Sequence, residues 1–510
     1  MKRIAMVAAV GLAATLHMVG QTVNSKSSTG TIVIQSQAGA LQRYTFDGRL
    51  LNTIATVPGG LAVTKDSGIY WVVTGSSLVK VTPTGVANTF SGAPTNSQWA
   101  AIAPDHLGNL IVADNRQHSV WLINPAANTA KQVANYPVNS NFQSEDVAVA
   151  VDPSSGNYLV VEDSGGSLNM FSISPSGVVN PVSLTFTGAA ATHCTATLIP
   201  YLGGYVFLSP AQNAVFEITT GVSGTVITEL AGNFTTGGSA TSATINPDSG
   251  DLYVDLSGGL LLDIAANSTC SPNCPGIGQF TSVPPAMNMI SETWADLPHV
   301  AAGSTWTSGF YVFNTGLAPA SYSVSFFDNS GNPLALPFPA GSSSVLQGTL
   351  PAQGMTYVEA ANPQGALLQG SGLVSADATI TVQALFRNST GGNYYEAAVP
   401  AVSGGTGFAM PFDFTTFAAT GAQIYTGIAI GNLDPVNAAT VNCVTTSQAG
   451  SANSSAVQIP VLPAMGHFAS FQFTPLYGSS GTLSCSSTTR IAAIGIRNIG
   501  SAFSTLTVVY

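Results

Sequence analysis

The sequence predicts an all-β protein, a six-bladed β-propeller followed by two β-sandwich domains. Three observations predict it. Only 7% of the 510 residues are charged, while 45% are apolar and 53 are glycine; a soluble domain usually carries roughly 25% charged residues. A glycine-plus-strand motif recurs at intervals of 38 to 48 residues through the first half. A longer repeat of roughly 110 residues occupies the second half.

The short motif is a turn with Asp, Ser or Asn, then Gly, then alternating aliphatic and aromatic residues. It starts at Gly30, Gly68, Gly108, Gly156, Gly204 and Gly250. Glycine supplies the left-handed backbone that a tight hairpin turn needs. Most motifs follow a small-residue strand, as at Leu61, Ala100, Val147 and Ala243, and most precede a second strand, as at Ser77, Ser119, Leu168 and Ala214. Three to four short strands per 40 to 48 residues match a propeller blade. Six motifs predict six blades over residues 28–268, with the N-terminal strands helping to complete the last blade.

In the third blade, Asp105-His-Leu-Gly108-Asn109-Leu-Ile-Val112-Ala113-Asp114 continues to His118 and Val120. This segment resembles the NHL repeat. The blades around Asp152 to Asp163 and Asn246 to Asp255 keep the first half of that pattern and lack the His. The resemblance implies a six-bladed propeller of NHL or related type, a superfamily that holds ligand-binding modules as well as metal-dependent lyases and lactonases. Enzymes of that kind place acids and histidines around the channel. The corresponding candidates are Asp114, His118, Glu145, Asp146, Glu162, Asp163 and His193. Within an NHL repeat the Asp and His more commonly hold turns and neighbouring strands.

Residues 269–295 read as a linker, with a Cys pair and Pro284-Pro285. Beyond it, Leu350-Pro-Ala-Gln-Gly354 returns as Leu462-Pro-Ala-Met-Gly466, and Phe386-Arg-Asn388 returns as Ile496-Arg-Asn498. Asn314 is echoed by Asn432. Two units follow, 296–403 and 404–510, each the size of an immunoglobulin-like sandwich. The Leu-Pro-Ala-x-Gly segments read as loops before strands and not as a sorting signal, since one of them lies mid-chain.

Lys2 and Arg3 precede an apolar run from Ile4 to Leu16. This predicts a signal peptide over residues 1–20 and a secreted, extracellular or periplasmic protein. No later segment reads as a transmembrane helix. Five cysteines suit an oxidising compartment. Cys270 and Cys274 could close a small loop, and Cys443 and Cys485 could staple the last unit. Cys194, beside His193, reads as a buried thiol.

The 12 Lys+Arg against 23 Asp+Glu exclude a nucleic-acid partner of the ordinary kind. No nucleophile elbow, phosphate loop, His-Glu-x-x-His or calcium loop is present. No cofactor is expected; a metal ion such as calcium stays open, with no motif that requires it. The sequence therefore predicts a non-enzymatic binding or scaffold protein. Its propeller face would bind a protein, peptide or glycan, and its sandwiches would act as stalk or attachment modules. The alternative is a metal-dependent lyase or lactonase with its site in the channel.

Overall fold

The computed structural model describes residues 30–510 except 47, 67, 84, 138–145, 153, 164–166, 188–193, 195–197, 202–203, 222–223, 233, 235–237, 247–250, 265–277, 282–283, 285, 363–364, 391–392, 455–456, 501 and 507. The segment expected as a signal peptide, Glu145, His193 and the Cys270–Cys274 pair lie outside the described residues.

Each of the six glycine motifs becomes the second strand of a blade. Blade 3 shows the plan: Trp99–Pro104, Leu110–Asp114, Ser119–Asn124 and Thr129–Asn135 form an antiparallel meander from the first strand to the last. Its second strand is wholly buried, because blades pack against both of its faces. Blade 2 runs from Ala62–Asp66 to Ala87–Thr89, and blade 4 from Val147–Val151 to Val179–Val182. Blade 5 adds Leu184–Thr187 at its outer edge, parallel to Gly224–Gly232. Blade 6 starts at Ala240–Ile245 and ends at Gly278–Thr281.

Blade 1 contains Gly30–Ser36, Ala40–Tyr44 and Leu50–Thr56, and its first strand comes from far away. Gly30–Ser36 pairs antiparallel with the start of Ala286–Ala302, Gly30 opposite Thr293 and Val33 opposite Ile290. Closure is thus the reverse of the expectation. The later chain completes the first blade, and blade 6 is complete by itself. The propeller also reaches past residue 268, and residues 286–295, expected as linker, are strand. The apolar alternation of this stretch was obscured by its flanking prolines.

Six separate apolar cores lie between neighbouring blades and close the ring. The last joins blade 6 to blade 1 through Tyr253, Leu261, Ile32, Ile34 and Met289. One blade buries its two faces only through its neighbours, so ring closure and stability are one problem.

The strand Ala286–Ala302 leaves the ring and enters the first sandwich without a break, pairing with Leu368–Asp377. That sheet continues to Ala320–Asp328 and Val345–Leu350. It packs on a second sheet ordered Met355–Ala361, Trp306–Asn314, Ile380–Thr390 and Asn393–Pro400. The second sandwich repeats the plan with one 20-residue strand, Ser480–Ile499, shared between its sheets. The first half of this strand pairs with Gly405–Asp413 and Val441–Ser447, and its second half with Ile424–Asn432 and Ala502–Leu506.

The sequence repeat has a physical basis. Asn314 donates its side-chain amide to Ala318 O and Pro351 O at 2.7 and 3.0 Å, and accepts from Thr379 Oγ1 at 2.8 Å. Asn432 does the same with Asn437 O and Pro463 O at 2.9 and 2.8 Å, and with Thr489 Oγ1 at 3.0 Å. Each Asn thereby holds its own Leu-Pro-Ala-x-Gly loop. The variable residue of each loop, Gln353 or Met465, has a positive φ of 53° or 56°. Cys443 and Cys485 face each other across two strands and form a disulfide. Among the described residues no helix is long and apolar enough to cross a membrane.

Candidate functional site

The two ends of the propeller differ. Asp66 and Gly68 of blade 2, and the turn at 105–109 of blade 3, lie at the end that meets the first sandwich. There Gly68 packs on Ser323 so closely that a Cβ would lie 2.9 Å from the serine Cβ. Its φ of +78° also requires glycine. The second strands end at the opposite face, where the described candidates Asp114, His118, Asp146, Glu162 and Asp163 lie.

Asp114 ends the second strand of blade 3 and is fully buried. Its Oδ1 accepts the N–H groups of Arg116 and Gln117 at 2.9 and 2.8 Å, and its Oδ2 accepts that of Gln98 at 3.0 Å. These bonds turn the chain into the left-handed backbone of His118, φ 45°. His118 Nδ1 then lies 2.9 Å from Glu162 Oε1 of blade 4. Burial lowers the His118 pKa, and the Asp114 charge opposes that shift. The ring of Tyr136 stands edge-on to His118 and stacks on Phe171 of blade 4. Burial raises the Tyr136 phenol well above its ordinary range, and Glu162 and Asp114 add to this. The structure therefore brings Asp114, His118 and Glu162 together as a latch between two blades.

Asp163 donates its backbone N–H to Asp146 O at 3.1 Å and is itself buried. Beneath lies Cys194, whose Sγ donates to Val161 O at 3.6 Å. Burial pushes this thiol well up, and the charges of Asp146, Asp163 and Glu162 add to the effect. A thiol held in this way is a poor nucleophile. On blade 6, Asp255 accepts from Thr241 Oγ1 at 2.7 Å and from Ala286 N at 2.8 Å, so it pins the strand that closes the ring. Burial raises its pKa to about 6. Among the described residues no group of three or more His, Cys, Asp or Glu is arranged to hold a metal ion.

A second polar cluster, which no local motif signals, lies at the sandwich end. Glu292, fully buried, receives Arg43 Nε at 2.6 Å, Tyr70 OH at 2.6 Å and the Lys65 ammonium. Arg43 also donates to Tyr70 OH at 2.6 Å and to Asn52 Oδ1 at 2.8 Å, and its guanidinium lies 3.5 Å from the centre of the Trp294 ring. Lys65 reaches Ala376 O of the first sandwich at 3.3 Å. Burial alone would raise the Glu292 pKa, but Arg43 and Lys65 hold it at about 2. Nearby, Asp377 accepts from Ser321 N at 2.6 Å and lies 3.6 Å from His106 of blade 3. These charges are scattered from residue 43 to residue 377, so no local motif could have signalled them.

No protein-family model matches the chain, and no curated protein sequence does. Among solved structures, a nidogen/laminin complex aligns with a TM-score of 0.41 and 9% identity, over 51% of this chain and 98% of that one. Virginiamycin B lyase from Staphylococcus aureus aligns with a TM-score of 0.35 and 15% identity, over 50% and 85%. The WD40 β-propeller domain of Doa1 gives 0.35 and 12%, over 52% and 82%. The ring of six blade interfaces, and not these likenesses, carries the architecture.

Proposed function

We propose that the chain is an exported, non-enzymatic binding or scaffold protein. Its propeller presents the Asp114–Glu162 face to a protein, peptide or glycan, and its immunoglobulin-like sandwiches serve as stalk and attachment modules. The carrying observation is the unbroken strand Ala286–Ala302, which fixes one end of the propeller to the first sandwich. The opposite end is left to the loops between blades, where ligands of such folds are met.

The NHL reading draws support from the turns. Asp105 Oδ1 accepts from Leu107 N and Asn109 N at 2.8 Å each, and its Oδ2 accepts from the Asn109 amide at 2.7 Å. Asp152 holds the matching turn of blade 4 through Ser154 and Ser155.

The test uses the full mature chain on glycan and surface-protein arrays, beside metal analysis of the same sample. Retention of one ligand class, weakened by Arg116→Ala or Gln117→Ala at the face, is the expected result. A stoichiometric metal ion, with lyase or lactonase turnover abolished by Glu162→Gln, would replace this reading with the enzyme.

A further inference from the structure

A cleft of ≈ 370 Å³ opens where the two sandwiches meet, lined by residues of both units and by none of the propeller. Its walls are aromatic. Trp306, from the first sandwich, lies flat on Phe386 with ring centres 4.3 Å apart and planes 13° apart. Phe503, from the last strand, sits 5.7 Å from Trp306. Across the cleft, Tyr425 and Tyr477 meet edge to face at 5.9 Å and 73°. The Phe471 ring lies directly on the backbone of Gly427, where a Cβ would come within 2.2 Å of it. Tyr477 is 49% exposed and Phe471 38%, so both rings are open to a ligand.

The polar groups of the cleft are neutral. Gln472 and Asn498 contribute side-chain amides, and the two tyrosines contribute hydroxyls. Among the described residues no Lys, Arg, Asp or Glu lines it. The neighbouring arginines are engaged elsewhere: Arg497 with Asp413 at 3.2 Å, and Arg387 with Glu359 and Glu396 at 3.1 and 2.5 Å. Such a lining offers no counter-charge to repay the water that a charged ligand would lose.

We propose that this cleft binds a short run of neutral pyranose rings, a segment of a polysaccharide. A pyranose offers a face of C–H groups to the negative face of an aromatic ring. Its edge carries hydroxyls that both donate and accept, as a primary amide does. A proline-rich peptide is the competing occupant, and it prefers a groove of aromatic ridges along an extended helix. Here the rings do not form a row of parallel ridges, since Trp306 and Phe386 lie 13° apart while Tyr425 and Tyr477 lie 73° apart, which suits a compact ring better. The site is independent of the propeller reading, because it stands on the sandwich pair alone.

The test is titration of the full mature chain with cellohexaose, maltohexaose, chitohexaose and a decaproline peptide, read by calorimetry and by tryptophan emission. At least one hexasaccharide is expected to bind below about 10 mM. Tyr477→Ala should weaken it about tenfold or more, and Gln472→Ala several-fold. Both side chains are exposed, and unchanged melting would show that the fold is intact. Failure of all three sugars would overturn the proposal. So would tighter binding of decaproline, or sugar binding that neither variant weakens, which would move glycan recognition to the propeller face.

Discussion

Two junctions hold this molecule together, and they are built from opposite chemistry. The propeller meets the first sandwich through charge: Glu292, Arg43, Lys65 and Tyr70 interlock in a buried site. The first sandwich meets the second through apolar packing, with Ala429, Ile494 and Ile496 of the second entering the core of the first. Its buried histidines are held neutral. His299 Nδ1 lies 3.1 Å from His467 Nε2, and His467 Nδ1 lies 2.8 Å from Asn329 Oδ1. Burial lowers His299 to about 4 and lowers His467 further from its ordinary range, where the His299 ring adds to the effect. Burial pushes the Asp296 carboxyl well up, against the opposing charge of Arg490. A charged junction punishes the loss of one partner, whereas a neutral one punishes a change of pH.

The largest effect should follow from breaking the charged junction. Glu292→Gln leaves Arg43 and Lys65 buried without a counter-charge. It should cost about 3–5 kcal/mol in a urea melt, as breaking a buried pair usually does. The double variant Glu292→Gln, Lys65→Met should recover part of that loss. Equal melting of wild type and Glu292→Gln would show that the cluster is solvated in solution.

Next comes a control inside the second sandwich. Cys443→Ser with Cys485→Ser removes a crosslink that spans 42 residues. The expected loss is about 4 kcal/mol in the chain-entropy picture. It should appear in the second sandwich alone, read by proteolysis of the C-terminal region, and leave the propeller strands protected.

The neutral junction is probed by acid. His299 and His467 bind protons more readily once unfolded, so their contribution is complete above about pH 6.5. It is lost as pH falls toward about 4. Each imidazole should cost about 1.4 kcal/mol per pH unit in that window. Asp296 runs the other way: its raised pKa favours the fold at low pH, and that contribution is lost as pH rises through it. Stability profiles of wild type, His299→Phe and Asp296→Asn between pH 4 and 8 should therefore differ in slope with opposite sign. Parallel profiles would contradict the burial of these groups.

The smallest effects belong to the loop anchors. Asn314→Ala and Asn432→Ala each remove bonds to a Leu-Pro-Ala-x-Gly loop, and each should cost about 1–3 kcal/mol. Similar losses would confirm that the repeated residues do the same job in both units.

The contrast also explains what the sequence could show. Blade strands were legible because each places alternating apolar residues after a glycine turn, as at Gly108 and Gly156. The disulfide was legible because Cys443 and Cys485 each sit in strand-like runs of one unit. The closing strand was not, since Ala286–Thr293 pairs with residues some 250 positions earlier. The same holds for Glu292, whose partners Arg43 and Lys65 are ordinary surface residues by local context. Of the candidate acids, Asp114 holds backbone N–H groups and Glu162 holds His118, so both serve the joint between two blades. The aromatic cleft has no local signature, because its rings come from separate segments of two units.

Hydrogen exchange along Ala286–Ala302 shows whether one strand makes propeller and first sandwich a single mechanical body. The amides of 286–293 and of 294–302 should open together, and Glu292→Gln should accelerate both halves alike. Independent exchange of the two halves, each following its own domain, would contradict it.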